Sequence, residues 1–246
     1  MFDFFVKKKF LVDYLDGFTD IHNHILPGID DGAKTVDESL GLIKGMGEIG
    51  ISNFICTPHI MENYYPNTPE SIKKSLEVLK KAMKEKNLTD VRISVAGEHM
   101  IDSNFEHLLK QQAVMPLDQY YILIEMSYLQ ASINFEAAVE KIKSQNLFPI
   151  FAHPERYVFL QSNLKKYSHY KSQGLLFQLN FLSLSNYYGK EVKKIAFKLI
   201  EEGLIDFIAS DLHNSNQLEN LKNIRLNSNQ LKLILPLIER SIGTFK

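Results

Sequence analysis

The sequence predicts an α/β protein in which seven strand–helix alternations wind into a closed or nearly closed barrel within one domain. Three observations carry that expectation. Strand-like and helix-like runs alternate along the whole chain, which implies parallel strands joined by crossover helices. The runs Ile122-Leu123-Ile124, Phe148 to Ala152 and Phe207-Ile208-Ala209 are apolar throughout, as expected of strands covered on both faces. At 246 residues, with no linker, low-complexity tract or shift in composition, the chain has the ordinary length of a single barrel.

Taken in order, the first strand arrives at Phe18-Thr19-Asp20-Ile21-His22-Asn23-His24, and Pro27-Gly28 with Asp30-Asp31-Gly32 makes the loop behind it. Thr35 opens a helix with Glu38 as capping-box partner, and Leu40, Ile43, Met46 and Ile49 carry it at helical spacing to Gly50. A second strand, Ile51 to Cys56, ends in Thr57-Pro58-His59; a polar loop with Pro66 and Pro69 then leads into a lysine-rich amphipathic helix from Glu70 to Lys86. Strands follow at Val91 to Ala96, Tyr120 to Ile124, Leu147 to Ala152, Leu175 to Leu179 and Ile205 to Ala209. Helices are expected over Ser103 to Gln111, Asn134 to Gln145, Leu164 to Gln173 and Gly189 to Glu202, with a closing helix from about Ser228 to Arg240.

Composition narrows the function. A hydrophobic content of 45% with 23% charged residues describes a globular protein, and a net charge of -1 provides no field to attract nucleic acid. One cysteine, Cys56, excludes an internal disulfide and fits a reducing, cytoplasmic setting. No run of roughly 18 apolar residues is present, so nothing in the sequence spans a membrane. Residues 1–17 read as an N-terminal extension packed on a domain of residues 18–246; Phe2, Phe4, Phe5 and Phe10 are interrupted by Lys7-Lys8-Lys9, which is unlike a secretory signal.

The chemistry lies at the strand ends, where barrel enzymes place it. Residues two apart in a strand share a face, so His22 and His24 point at one object. Successive strand ends then offer His59, Glu98, Glu125, His153, Asn180 and, repeating the two-apart spacing, Asp211 with His213; Asp31 joins them from the first loop. Buried carboxylates and imidazoles are unfavourable by several kcal/mol each unless paired or metallated, so their clustering at one barrel mouth calls for cations. Nine candidate ligands exceed the needs of one ion and suit two or three, and imidazole with carboxylate but no thiolate points to Mn, Fe or Zn. Clustered divalent ions activate water and hold both oxygens of a phosphoryl transfer, which favours hydrolysis of a phosphate ester.

These motifs, together with Leu26-Pro27-Gly28-Ile29-Asp30-Asp31-Gly32, Gly97-Glu98, Ala152-His153-Pro154-Glu155-Arg156-Tyr157 and Ala209-Ser210-Asp211-Leu212-His213-Asn214, resemble the polymerase-and-histidinol-phosphatase superfamily. More closely, the chain is similar to its bacterial manganese-dependent tyrosine-protein phosphatases of capsule and exopolysaccharide loci, from about residue 18 to the end. The resemblance implies a distorted (β/α)7 TIM-like barrel of the PHP kind holding three metals. His22, His24, Glu98 and Asp211 would hold the first; Glu98 would bridge to a second held by Glu125 and His153; Asp31, His59 and His213 would hold the third. It further implies a metal-bound hydroxide as nucleophile and phosphotyrosine as substrate, carried on a membrane tyrosine autokinase that controls polysaccharide assembly.

Arg156, three residues beyond His153, is expected to clamp phosphate oxygens, against the alternative of a surface pair with Glu155. Asn180 is a candidate for orienting a ligand or the substrate, and Asp211 or His213 for passing a proton to the leaving phenolate. His99, His107 and His169 are read as structural or surface residues. Cys56 is an unsuitable nucleophile: it lies inside a strand, and Glu62 stands six residues later where cysteine phosphatases carry arginine. Ile60-Met61 follows His59 where some members of the family it resembles carry more polar or basic residues, Asn63-Tyr64-Tyr65-Pro66 fills the adjoining loop, and this departure bears on substrate access. Two alternatives stay open: a phosphatase for a small metabolite such as histidinol phosphate, and a metal-stabilised binding module without catalysis. Oligomeric state is not legible.

Overall fold

The computed structural model describes residues 8–246. Its strands, in chain order, are β1 (Lys9–Phe10), β2 (Thr19–Asp20), β3 (Asn53–Cys56), β4 (His59–Ile60), β5 (Arg92–Val95), β6 (Glu98–Met100), β7 (Tyr121–Glu125), β8 (Phe148–Ala152), β9 (Leu176–Asn180), β10 (Phe207–Ala209) and β11 (Arg225–Leu226). The helices are α1 (Val36–Gly47), α2 (Pro69–Glu85), α3 (Phe105–Lys110), α4 (Phe135–Ser144), α5 (Val158–Gln161), α6 (Leu164–Ser172), α7 (Lys190–Glu201), α8 (Ser215–Lys222) and α9 (Ser228–Thr244).

One parallel sheet runs β2-β3-β5 and another β10-β9-β8-β7-β6-β4. They share two strand paths. Pro58, which has no N–H to donate, separates β3 from β4, and Ala96-Gly97 separates β5 from β6. Hydrogen bonds from Ala96 N to Cys56 O (2.8 Å) and from Glu98 N to Pro58 O (3.1 Å) carry the pairing across both breaks. Seven parallel paths result, as the alternation of the sequence predicts. Beyond the end of β2, Asn23 bridges Leu212 in parallel register, His24 N donates to Leu212 O (2.9 Å), and Asp211 N donates to His22 O (2.7 Å). The Asp20 carboxylate also accepts from Ser210 N (2.9 Å) and Ser210 Oγ (2.6 Å). Burial pushes the pKa of Asp20 up to about 6 even though these bonds oppose it.

The period-two rule sorts the strand side chains into two apolar layers. Leu123, Ile150, Ala152, Phe207 and Ala209 join Ile21 and Ala96 in a small cluster to which Phe245 is added from the end of α9. Their neighbours Ile122, Ile124, Phe151 and Ile208 face the large cluster beneath the helices. Both faces are thus covered, which is why these runs are apolar at every position. The fold is a mixed α/β domain built on parallel strands.

Several boundaries move for identifiable reasons. Thr35 Oγ1 accepts from Glu38 N (3.2 Å) as expected of a cap, but the Glu38 carboxylate accepts from Lys34 N (2.7 Å), one residue outside the capping-box position. Helix α2 starts at Pro69, because Thr68 and Ser71 form the capping box and proline suits the first helical turn. Helix α9 runs past Arg240 to Thr244. Of the N-terminal extension, residues 8–17 are described: Leu11 and Leu15 are fully buried, and β1 pairs antiparallel with β11. The amphipathic reading of Phe2, Phe4, Phe5 and Lys7 lies outside the described residues. No helix among the described residues is long and apolar enough to cross a membrane.

Candidate metal centre

The nine candidate ligands meet at the C-terminal ends of the parallel strands. His22 and His24 follow β2, His59 begins β4, Glu98 begins β6 beside it in register, Glu125 ends β7 and His153 follows β8. Asp211 and His213 follow β10, and Asp31 comes from the loop after β2. His153 (φ 36°) and Asp211 (φ 53°) both adopt the left-handed conformation, which few non-glycine residues occupy although Asp and His tolerate it better than most. Strain of this sort persists where surrounding structure imposes it, and here it turns two donors at strand ends toward one point.

Neighbours fix the orientation of the paired histidines. His22 Nδ1 donates to Gln178 Oε1 (2.7 Å) and His24 Nδ1 donates to Asp30 Oδ2 (2.8 Å), leaving both Nε2 lone pairs facing inward. Those two Nε2 atoms lie only 3.4 Å apart. His22 Nε2 is 3.2 Å from Glu98 Oε1 and 3.3 Å from Asp211 Oδ1, and His24 Nε2 is 3.4 Å from Asp211 Oδ1. Glu98 also lies 3.1 Å from His153 Nε2 and 2.9 Å from His59 Nδ1. His59 Nδ1 faces Glu125 Oε1 at 2.8 Å, while His59 Nε2 and His213 Nε2 approach Asp31 Oδ1 at 3.3 and 3.4 Å.

Within these contacts four sets of donor atoms are close enough to share an ion: His24 with Asp31, His59 and His213; His22 with His24 and Asp211; His22 with Glu98 and His153; and His59 with Glu98 and Glu125. The donor chemistry fits a cation. Buried Glu98 Oε2 makes no hydrogen bond, its neighbour being His59 Nδ1 at 2.9 Å, and the His22 and His24 Nε2 atoms face each other at 3.4 Å, as donors to a shared ion would.

Charge balance tells the same story. Burial alone drives imidazoles toward neutrality, yet the carboxylates around His22, His24 and His59 overcome it and raise all three. Burial likewise opposes ionisation of Glu98 and Asp211, and the imidazoles reverse it, holding both well below the ordinary carboxylate range. Glu125 is raised, first by burial and then by Glu98.

Asp211 uses its two oxygens differently. Oδ1 faces the imidazoles, while Oδ2 accepts from Arg156 Nη1 (2.8 Å) and from Asn180 Nδ2 (2.6 Å). Asn180 therefore steadies a candidate ligand, and Arg156 pairs with Asp211 rather than with Glu155. The Glu155 side chain is buried and turned away, accepting from Asn180 N (3.1 Å) and Ser183 Oγ (2.6 Å). His99 is a buried neutral histidine, with Nδ1 donating to Leu123 O (3.1 Å) and Nε2 accepting from Met115 N (3.1 Å); burial lowers it to about 4. Cys56 is fully buried, and that burial pushes its thiol well above its ordinary value, the opposite of an activated nucleophile.

A cavity of about 750 Å³ opens over the cluster. Its lining combines the candidate ligands Asp31, His59, Glu125, Asp211 and His213 with Arg156, with polar residues such as Asp102 and Gln217, and with the apolar groups of Met61, Met100, Met126, Tyr65, Tyr128 and Leu129. The turn Met61 to Tyr65 brings Tyr65 parallel to the His59 ring at 5.4 Å.

Residues 18–223 match the family described as capsular polysaccharide synthesis, CpsB/CapC. The chain belongs to that family. Among its relatives, the tyrosine-protein phosphatase YwqE of Bacillus subtilis (strain 168) is 32% identical over 200 residues, covering 79% of this chain and 77% of that protein. The tyrosine-protein phosphatase CpsB of Streptococcus agalactiae serotype V is 30% identical over 201 residues, covering 79% and 82%. A solved structure from work on YwqE of B. subtilis and CpsB of Streptococcus pneumoniae, described as unique metal-dependent tyrosine phosphatases, superposes with a TM-score of 0.79 at 26% identity. The superposition covers 93% of this chain and 95% of that one.

Asp30, Gln178, Tyr128 and Tyr188 were not anticipated as members of a CpsB/CapC-type site. Gln178 carried a signal, since it lies two residues before Asn180 in β9 and therefore on the same face. Asp30 was hidden beside Asp31 in a loop, where spacing does not decide direction. That loop is also closely packed: a Cβ on Gly32 would lie 2.0 Å from the His24 carbonyl oxygen. Gly32→Ala is expected to lower stability by about 1–3 kcal/mol through overpacking and to loosen metal binding by displacing His24; thermal unfolding with a metal titration checks both.

Proposed function

We propose that this chain is a metal-dependent phosphomonoesterase that hydrolyses protein phosphotyrosine during capsular polysaccharide synthesis. The observation that carries the reading is the convergence of nine imidazole and carboxylate donors, five of which line a cavity together with an arginine and a group of methionine and tyrosine side chains. A phenyl ring suits contact with Met61, Met100, Met126 and Tyr65, whereas a small cationic metabolite has less to gain there.

His22, His24, Glu98 and Asp211 would hold one ion, Glu98 with Glu125 and His153 a second, and Asp31, His59 and His213 a third. Support comes from the close donor sets: Glu98, His22, His24 and His59 each belong to two of them, and of these four only the Glu98 carboxylate has two oxygens with which to serve neighbouring ions. When bound, such ions supply an activated water and neutralise developing phosphoryl charge, manganese being the expected metal and iron or zinc compatible with the same donors. Arg156, which lines the cavity, reaches the phosphoryl oxygens, and Asn180 fixes Asp211 for its task. Of the two candidates bordering the cavity, His213 rather than Asp211, which the imidazoles hold ionised, passes a proton to the leaving phenolate, which departs readily with little help. We further infer that residues 18–246 form this phosphatase domain with residues 1–17 as an extension on it. Its seven parallel paths close into a distorted barrel, a reading supported by the Asn23–Leu212 bridge and the Asp20–Ser210 bonds. The substrate is a membrane tyrosine autokinase of polysaccharide assembly, met in the cytoplasm.

The reading is tested by chelating the protein, restoring manganese and comparing a phosphotyrosine peptide with histidinol phosphate. Preferential turnover of the peptide supports it; preference for the small ester makes the chain a metabolite phosphatase, and metal binding without any turnover makes it a binding module. Arg156→Lys retains the charge and loses the two-pronged contact, so kcat/KM on an aryl phosphate is expected to fall about 10- to 100-fold with metal content unchanged. Steady-state kinetics beside elemental analysis measures both.

A further inference from the structure

The guanidinium of Arg156 is held in place before any phosphate arrives. Its Nη1 donates to Asp211 Oδ2 at 2.8 Å, and Cζ lies 4.5 Å from the centroid of the Tyr128 ring and 4.2 Å from that of Tyr188. With its central carbon over two aromatic rings, the guanidinium keeps N–H donors to spare, since one of its five is spent on Asp211. The side chain keeps 20% of its surface exposed and Arg156 lines the cavity.

The two rings come from distant parts of the chain, Tyr128 from the loop after β7 and Tyr188 from the turn before α7. Tyr128 has other duties: its hydroxyl is 3.4 Å from His153 Nε2 and its ring stacks on Tyr157 at 5.6 Å. Tyr188 contacts, among the described aromatic rings, only Tyr187 at 4.9 Å. Its hydroxyl is buried without a hydrogen-bond partner, so what it contributes in this structure comes from its ring face.

We propose that Tyr128 and Tyr188 are positioning residues that form an aromatic slot for Arg156, fixing the guanidinium so that its free edge receives the phosphoryl group; this rests on the phosphatase reading above. An arginine left loose in water would lose rotamer freedom on each binding event, and a slot removes that loss beforehand. Such preorganisation acts on bound substrate and transition state alike, so it shows in KM and in phosphate affinity more than in kcat.

Tyr188 gives the clean test, because changing it leaves His153 and Tyr157 untouched. In the manganese-loaded protein, Tyr188→Leu is expected to raise the Kd for inorganic phosphate, read by calorimetry, and the KM for p-nitrophenyl phosphate by about 3- to 30-fold, the range of one cation–π contact. Metal content and kcat stay near wild type, and Tyr188→Phe, which retains a ring, restores both affinities. Wild-type phosphate affinity in Tyr188→Leu overturns the slot, as does an equal loss in Tyr188→Phe or a loss of bound metal in Tyr188→Leu. Failure of the wild type to hydrolyse any aryl phosphate overturns the phosphatase reading instead, while the calorimetric comparison still decides on the slot.

Discussion

Glu98→Gln is expected to lower turnover of an aryl phosphate by about three orders of magnitude or more while leaving the fold intact. Glu98 is fully buried and lies within 3.4 Å of His22, His24, His59 and His153. Glutamine matches its shape but not its charge, and an amide nitrogen would oppose a cation where a carboxylate oxygen attracts one. A carboxylate that bridges two ions contributes several kcal/mol to holding them, and each 1.36 kcal/mol is tenfold in rate. Elemental analysis should find less metal in the variant, and circular dichroism an unchanged spectrum. Near-normal turnover with full metal content would remove Glu98 from the centre and with it the shared-ligand account.

Removal of the metal is expected to be as damaging to activity and also visible in stability. The apolar clusters are built from side chains other than the donors, so the stripped protein keeps its secondary structure. A ligand that binds only the native state stabilises it by about 2.7 kcal/mol at a hundredfold excess over its Kd. For a chain of this size that is a rise in melting temperature of roughly 5–10 °C per site on returning manganese. A chelated sample with the same melting temperature as the metal-loaded one would contradict binding at so many buried donors.

What could be read from the sequence, and what could not, follows from the range over which each signal acts. The His-x-His pair was legible because strand periodicity alone puts both side chains on one face. Glu98, Glu125, His153 and Asp211 were legible because parallel strands all end at the same edge of the fold. The Arg156 contact with Asp211 was not: it joins residues far apart in sequence whose approach depends on the left-handed backbone at Asp211. The slot from Tyr128 and Tyr188 escaped for the same reason, as did the two-residue pairing of β1 with β11. Helix α8 was missed because its apolar face, Leu218 and Leu221, is too short to show a period, although Asn214 caps it by accepting from Gln217 N. The strand breaks at Thr57-Pro58 and Ala96-Gly97 needed the sheet register, which local propensity does not specify.

The central claim is that these donors surround a small group of divalent ions, and anomalous diffraction from crystals grown with manganese tests it most directly. The account predicts two or three peaks at the manganese edge, each within bonding distance of the donor sets around Glu98, Asp211 and Asp31. A map with no anomalous peak among those side chains, in crystals whose solution contains the metal in excess, would contradict it.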